Sequence, residues 1–178
     1  AGFAPLRISV NVSARQFADR TLLDRIRQAL VDEGVPPHHL EIEITESTVM
    51  RDVQVTGEIL AALDALGVRL AVDDFGTGYS SLAYLKRFPL DVLKIDRAFV
   101  QDIPHDGNVS AIAEASISLG HKLGLEVVAE GVETAAQMKF LRTHECDIIQ
   151  GYYFSRPGPG DEMARFITDY GAPQAPGS

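Results

Sequence analysis

The chain has 178 residues, a net charge of −9 and an isoelectric point near 4.9, enough for one domain with a sizeable core but not two. Its acidity argues against binding polymeric nucleic acid, whose affinity rests on basic groups neutralising phosphates, and leaves open a small phosphate substrate recruited through cations. No apolar run approaches the roughly 20 residues that span a bilayer, no basic and apolar leader opens the sequence, and the single cysteine, Cys146, excludes an internal disulfide framework.

Six strand-like runs follow, each ending in a polar or acidic residue and each leading into a helical pattern. Residues 7–12 read as the first strand, ending around Asn11, with a helix over 19–33 closed by Gly34 and Pro36-Pro37. The second strand, 40–45, sets Glu41 and Glu43 on one face and Ile42 and Ile44 on the other. Its helix spans 53–66 and closes at Gly67. The third strand, 68–72, runs into Asp73-Asp74, a Gly76-Thr77-Gly78 loop and a short helix over 81–87. The fourth, 91–95, places Lys94 inside the strand and Asp96 just past it; a helix over 108–123 closes at Gly124. The fifth, 125–129, puts Glu126, Val128 and Glu130 on one face and leads to a helix over 134–143. The sixth, 147–150, ends at Gln150 and leads to a helix over 161–169. Glycines stand where several helices stop, which suits a left-handed cap. The tail, 171–178, has no apolar period and is expected to be disordered, so the domain is 1–170.

Strands joined by helical crossovers must be parallel and buried between helices. Six such units fit an open doubly wound α/β sheet or most of a TIM-type (β/α) barrel. The acid-bearing strand faces favour the barrel, whose mouth can take charges that a sheet covered on both faces cannot. Barrels carry their chemistry at the C-terminal strand ends, so Asn11, Glu43, Glu46, Asp73, Asp74, Lys94, Asp96, Glu130 and Gln150 would converge in an oxygen-rich pocket.

Asp73-Asp74 is the sharpest local signal. One aspartate can bridge two cations while its neighbour holds the second, as a two-metal phosphodiester site requires; equally, one of them can simply cap the following turn. Hard oxygen donors suit magnesium or manganese, and no Cys or His cluster suggests zinc. Lys94 inside an apolar strand needs a partner or a function. It can form a Schiff base, as in barrel aldolases, or stay charged and steady a water or phosphate, and the surrounding acids favour the charged role. Glu46 and Glu133, each three residues past another acid, suit loop bracing. The five histidines are scattered and carry no motif.

Read together, the stretches Ser9-Val10-Asn11-Val12-Ser13-Ala14-Arg15-Gln16, Glu43-Ile44-Thr45-Glu46, Asp73-Asp74-Phe75-Gly76-Thr77-Gly78, Leu93-Lys94-Ile95-Asp96, Ala129-Glu130-Gly131-Val132-Glu133 and Gln150-Gly151-Tyr152-Tyr153-Phe154-Ser155-Arg156-Pro157 resemble the EAL domain, the family of cyclic di-GMP phosphodiesterases. The resemblance implies a modified TIM-type barrel. It implies that Asn11, Glu43 and Asp73 bind one Mg2+ or Mn2+ ion, and that Asp73, Asp74 and Glu130 bind a second. Glu130 would also serve as base, Lys94 would steady the attacking water, and Gln150, Arg156 and Gln16 would contact the substrate. Glu46 and Glu133 would anchor loops. The loop and helix after Asp74 would help form a homodimer. The implied reaction converts cyclic di-GMP to linear pGpG in bacterial signalling, in the cytoplasm, with membrane attachment only through other domains. One departure stands out. The family's Glu-Ala-Leu motif lies on a strand upstream of residues 9–16, yet only eight residues precede Ser9 and none is a Glu. The first strand, a metal-ligand Glu and a substrate-contacting Arg are therefore expected to be missing, as in a piece of a longer protein. A non-hydrolysing cyclic di-GMP receptor is the alternative function.

Overall fold

In the computed structural model, which describes residues 6–77 and 85–170, six parallel strands lie side by side in the order of the sequence. They are β1 (Ile8–Asn11), β2 (Leu40–Thr45), β3 (Arg69–Phe75), β4 (Val92–Ile95), β5 (Glu126–Ala129) and β6 (Ile148–Ile149). A doubly wound sheet reverses its strand order at a switch point; this one never does, which is barrel topology. The curl is visible in one contact. Arg7, just ahead of β1, donates from Nη1 to Glu126 Oε2 on β5 at 3.0 Å. Four strand spacings across a flat sheet would amount to roughly 19 Å. The sheet is a half-barrel.

Several of the helices form where the sequence supplies both a cap and an apolar stripe. Among the described residues they are α1 (Ala14–Phe17), α2 (Leu22–Glu33), α3 (Glu46–Val49), α4 (Val53–Asp64), α5 (Gly107–Leu123), α6 (Ala135–Thr143) and α7 (Gly160–Tyr170). Asp52 and Asp106 cap α4 and α5 through backbone N–H groups, and Thr134 with Gln137 forms a capping box on α6. Gly34 and Gly124 end α2 and α5 at φ 62 and 77, where a Cβ would be strained.

Alternation along the strands divides the sheet into two faces. Ile42, Ile44, Leu70, Leu93, Ile95 and Val127 face outward and are buried with helical Leu60, Leu63, Ile117 and Leu141. Each such side chain contributes about 1.5–3 kcal/mol by leaving water. The inner face fills in three levels. Glu41, Arg69 and Glu126 stand at the N-terminal end and pair with Arg7 and with each other; Ala71, Val92 and Val128 form a small apolar middle; Glu43, Asp73, Lys94 and Glu130 make the top.

Several expectations need correction. Glu41 and Glu126 do not belong to the barrel mouth: Arg7 and Arg69 neutralise them at the opposite end. The first long helix starts at Leu22 rather than 19, because the Asp19 carboxylate accepts from Thr21 N and Oγ1 and holds a turn there. β3 runs on through Phe75 instead of stopping at Val72, and β6 has two residues instead of four. Gly78, most of the helix expected over 81–87 and the tail 171–178 lie outside the described residues. Among the described residues no helix is long and apolar enough to cross a membrane.

Candidate active site

The acidic rim is built by a backbone irregularity. Val72 pairs with Leu93 and Phe75 with Ile95, so Asp73 and Asp74 together oppose the single residue Lys94. This is a β-bulge. Asp74 takes φ 56, a left-handed conformation that a short polar side chain tolerates. Neighbours in a regular strand point to opposite faces; the extra residue resets that alternation and leaves both aspartates on the rim. Two hydrogen bonds secure the turn beyond. Gly76 N donates to Glu46 Oε2 at 2.9 Å, and Thr77 Oγ1 donates to the Asp74 carbonyl at 2.8 Å. Glu46, at the start of α3, is 1% exposed, so it braces the turn from inside.

Lys94 holds the centre. Its Nζ lies 2.6 Å from Glu43 Oε2 on β2, 2.5 Å from Glu130 Oε1 past β5, and 3.6 Å from Asp73 Oδ1 on β3. The residue is 4% exposed. Burial opposes its charge, but hydrogen bonds to Glu130 and Glu43, with the charges of Glu130 and Asp73, hold the ammonium well above the ordinary lysine range. It therefore contributes stability at every pH below the unfolded lysine value, lost only as pH climbs through its own higher one. This removes the basis for a Schiff-base role, which needs a neutral amine.

Glu130 is pushed up by burial and by Asp73 and Glu43, against the pull of Lys94. Asp74 is pushed up by burial, by Asp73 and by Asp96, whose carboxyl it hydrogen-bonds. Raised carboxyls follow the same sign as Lys94 but in a lower pH window: stability is greatest below the ordinary carboxyl range and falls as pH rises through the raised values. Burial is the leading cause, and the surplus of carboxylates over the ammonium adds to it. Among the described residues no three His, Cys, Asp or Glu side chains already form a ready metal-binding group. The donor set nonetheless fits a hard divalent cation, being all oxygen and short of positive charge.

The other expected residues separate. Asn11, at the end of β1, lies in register with Glu43 and is exposed. The Gln16 amide oxygen accepts from Ser13 N and Oγ in the capping box of α1, so its capping role is what the structure displays. Gln150 is exposed at the end of β6, its carbonyl accepting from Val132 N. Arg156 lies with its guanidinium 4.7 Å from the centre of the Tyr152 ring. Glu133 is exposed, and the brace beside it is Gln137: its Oε1 accepts from Glu133 N and Thr134 N, and its Nε2 donates to the Gln101 carbonyl. Two further residues support the rim: Gln137, which sequence reasoning missed, and Asp96, which it read as a strand-end acid and which hydrogen-bonds Asp74. The Thr134-x-x-Gln137 spacing of a capping box was the available signal for the first.

The rim also depends on one glycine. A Cβ on Gly151 would stand 2.1 Å from the Val132 carbonyl oxygen and 2.3 Å from its nitrogen. Those atoms are backbone and cannot swing aside. Gly151→Ala is expected to destabilise the protein by about 3 kcal/mol, read as a fall in melting temperature of roughly 10 °C.

Comparison with known proteins agrees with this geometry. Residues 1–157 match the EAL domain family model. The chain is 47% identical over 176 residues to the cyclic di-GMP phosphodiesterase NbdA of Pseudomonas aeruginosa, covering 99% of this chain and 22% of that protein. Among solved structures it is similar to the PaMucR phosphodiesterase in complex with c-di-GMP, with TM-score 0.86 and 49% identity, over 88% of this chain and 64% of that one. It is also similar to Klebsiella pneumoniae BlrP1 in a manganese and cy-diGMP complex, with TM-score 0.78 and 34% identity, over 85% of this chain and 39% of that one. The chain thus spans under a quarter of the curated relative's length. Likeness this close, over nearly the whole sequence and on the same curled parallel sheet, makes the chain a member of the EAL domain family.

Proposed function

We propose that this domain hydrolyses cyclic di-GMP to linear pGpG with the help of divalent cations, Mg2+ or Mn2+. The observation that carries the reading is the convergence of Glu43, Asp73 and Glu130 on Lys94, with Asp74 brought to the same rim by the bulge. It is supported by relatives that bear phosphodiesterase names or were solved with c-di-GMP, one of them with manganese. Asn11, Glu43 and Asp73 would hold one ion, and Asp73, Asp74 and Glu130 the second. Bound there, the cations would polarise the phosphoryl oxygens and favour ionisation of water.

The chain's own residues do the rest. Glu130, just past β5 and paired with Lys94, takes a proton from the attacking water. The water oxygen bonds to phosphorus, the P–O3′ bond breaks, and the leaving O3′ takes a proton from solvent while Glu130 returns its own to solvent. Lys94, charged throughout, orients that water and offsets the charge that grows on the phosphate. Glu46 keeps the bulged turn in place through Gly76. Gln150, Arg156 and Gln16 would meet the substrate, and Glu133 would stay at the loop edge. The domain would occupy 1–170 and work in the cytoplasm; its homodimer contact would use the loop after Asp74, part of which lies outside the described residues.

Chromatography of cyclic di-GMP incubated with the protein and Mn2+ should show pGpG, and a chelator should abolish it. Binding without product would instead identify a non-hydrolysing receptor.

A further inference from the structure

The charged residues around Lys94 suit a phosphodiester, but a cyclic purine dinucleotide also carries flat bases that carboxylates do not grip. Beyond Gln150 and Gly151 stand three successive aromatic residues that the core does not take up. Tyr152, Tyr153 and Phe154 are 49%, 39% and 45% exposed. Exposed aromatic side chains on loose chain would be unremarkable, yet this run is laced to the loop that follows Glu130. Val132 N donates to the Gln150 carbonyl at 3.1 Å, Tyr153 N donates to the Val132 carbonyl at 2.9 Å, and Phe154 N donates to the Gly151 carbonyl at 3.2 Å. The close approach at Gly151 fixes the same junction.

Within the run the rings differ. Tyr153 and Phe154 pack edge to face on each other, with centroids 5.3 Å apart. Tyr152 is backed by the Arg156 guanidinium at 4.7 Å and keeps about half its surface in solvent. A ring held flat by a cation is a platform ready for another π-system. Arg156 also adds a positive charge to a strongly acidic chain, six residues past Gln150 at the end of β6.

We propose that Tyr152, clamped by Arg156, is the shelf on which a guanine base of the dinucleotide stacks while the acidic rim holds its phosphodiester. The shelf rests on the reading of the site as a cyclic di-GMP site and adds a base-recognition residue to it. Stacking needs the ring and not the hydroxyl, and it needs the base.

Both requirements are read by a binding cycle with pGpG, which carries both bases and no cyclic diester to hydrolyse, and with an abasic analogue of it. Titration calorimetry is run on the wild type, Tyr152→Ala and Tyr152→Phe. Tyr152→Ala is expected to weaken pGpG roughly tenfold and leave the abasic analogue unchanged, while Tyr152→Phe stays within about twofold of wild type. Equal binding of pGpG by wild type and Tyr152→Ala overturns the shelf and leaves the site reading standing. Equal weakening of both ligands also overturns it, since the ring would then serve the fold rather than the base. A wild type that binds neither ligand overturns the site reading, and the shelf with it.

Discussion

Replacing Lys94 with methionine should lower the stability of the metal-free protein by about 3–5 kcal/mol, the usual cost of removing one partner from a buried ionic cluster. Methionine fills a similar volume, so packing is nearly preserved and the effect isolates the charge. Without the ammonium, Glu43, Asp73 and Glu130 face one another with no cation between them. The variant should therefore respond to divalent ions more than the wild type does. Added Mn2+ or Mg2+ supplies the missing positive charge and raises its melting temperature by mass action. Thermal melts with and without the ion read both effects. A variant that melts like the wild type would mean that the carboxylates are not mutually repulsive, and the electrostatic account of the rim would fall. Turnover should be lost in either condition, because an ion that restores stability does not orient the water.

Glu43→Ala and Asp73→Ala should each cost at least roughly 10²–10³-fold in metal-dependent turnover. Their effect on folding should be smaller than that of Lys94→Met. Removing one carboxylate leaves Lys94 paired with Glu130 and with whichever acid remains, and it relieves some of the repulsion that raises Glu130. Rates of pGpG formation, measured beside circular dichroism melts, separate the two readouts. Activity retained in either variant would show the donor assignment to be wrong.

The alternation of strands and helices was legible because its signals are long-range periodicities: paired acids and isoleucines in β2, apolar runs in β3 to β5, glycines at the ends of α2 and α5. What escaped had no period to show. α1 and α3 are four residues each, barely one turn, and their apolar residues do not repeat. Asp73-Asp74 reads as a strand end because two acids rarely continue a buried strand; only the tertiary pairing of Phe75 with Ile95 carries β3 past them. The lower ionic level was hidden for another reason. Arg7 and Glu126 are 119 positions apart, and nothing local announces that their charges cancel. For the rim, the residue types were readable, and so was the need of Lys94 for partners. The identities of those partners depended on the curl of the sheet.

The bulge in β3 separates the two things that selection can change at this rim. Asp74 owes its direction to an extra backbone residue and not to its own side chain. A substitution at 74 can thus silence the chemistry while Phe75 stays in the core and the sheet keeps its phase. Deleting the residue is different: it would remove the bulge, leaving Asp73 alone opposite Lys94 and Phe75 still opposite Ile95, so the second acid would vanish from the rim while the strand became regular. Loss of activity is one point mutation away, whereas relocating the acid pair means refolding the strand. Descendants of such a domain can easily become silent sensors of the same shape, and only with difficulty enzymes of a different geometry.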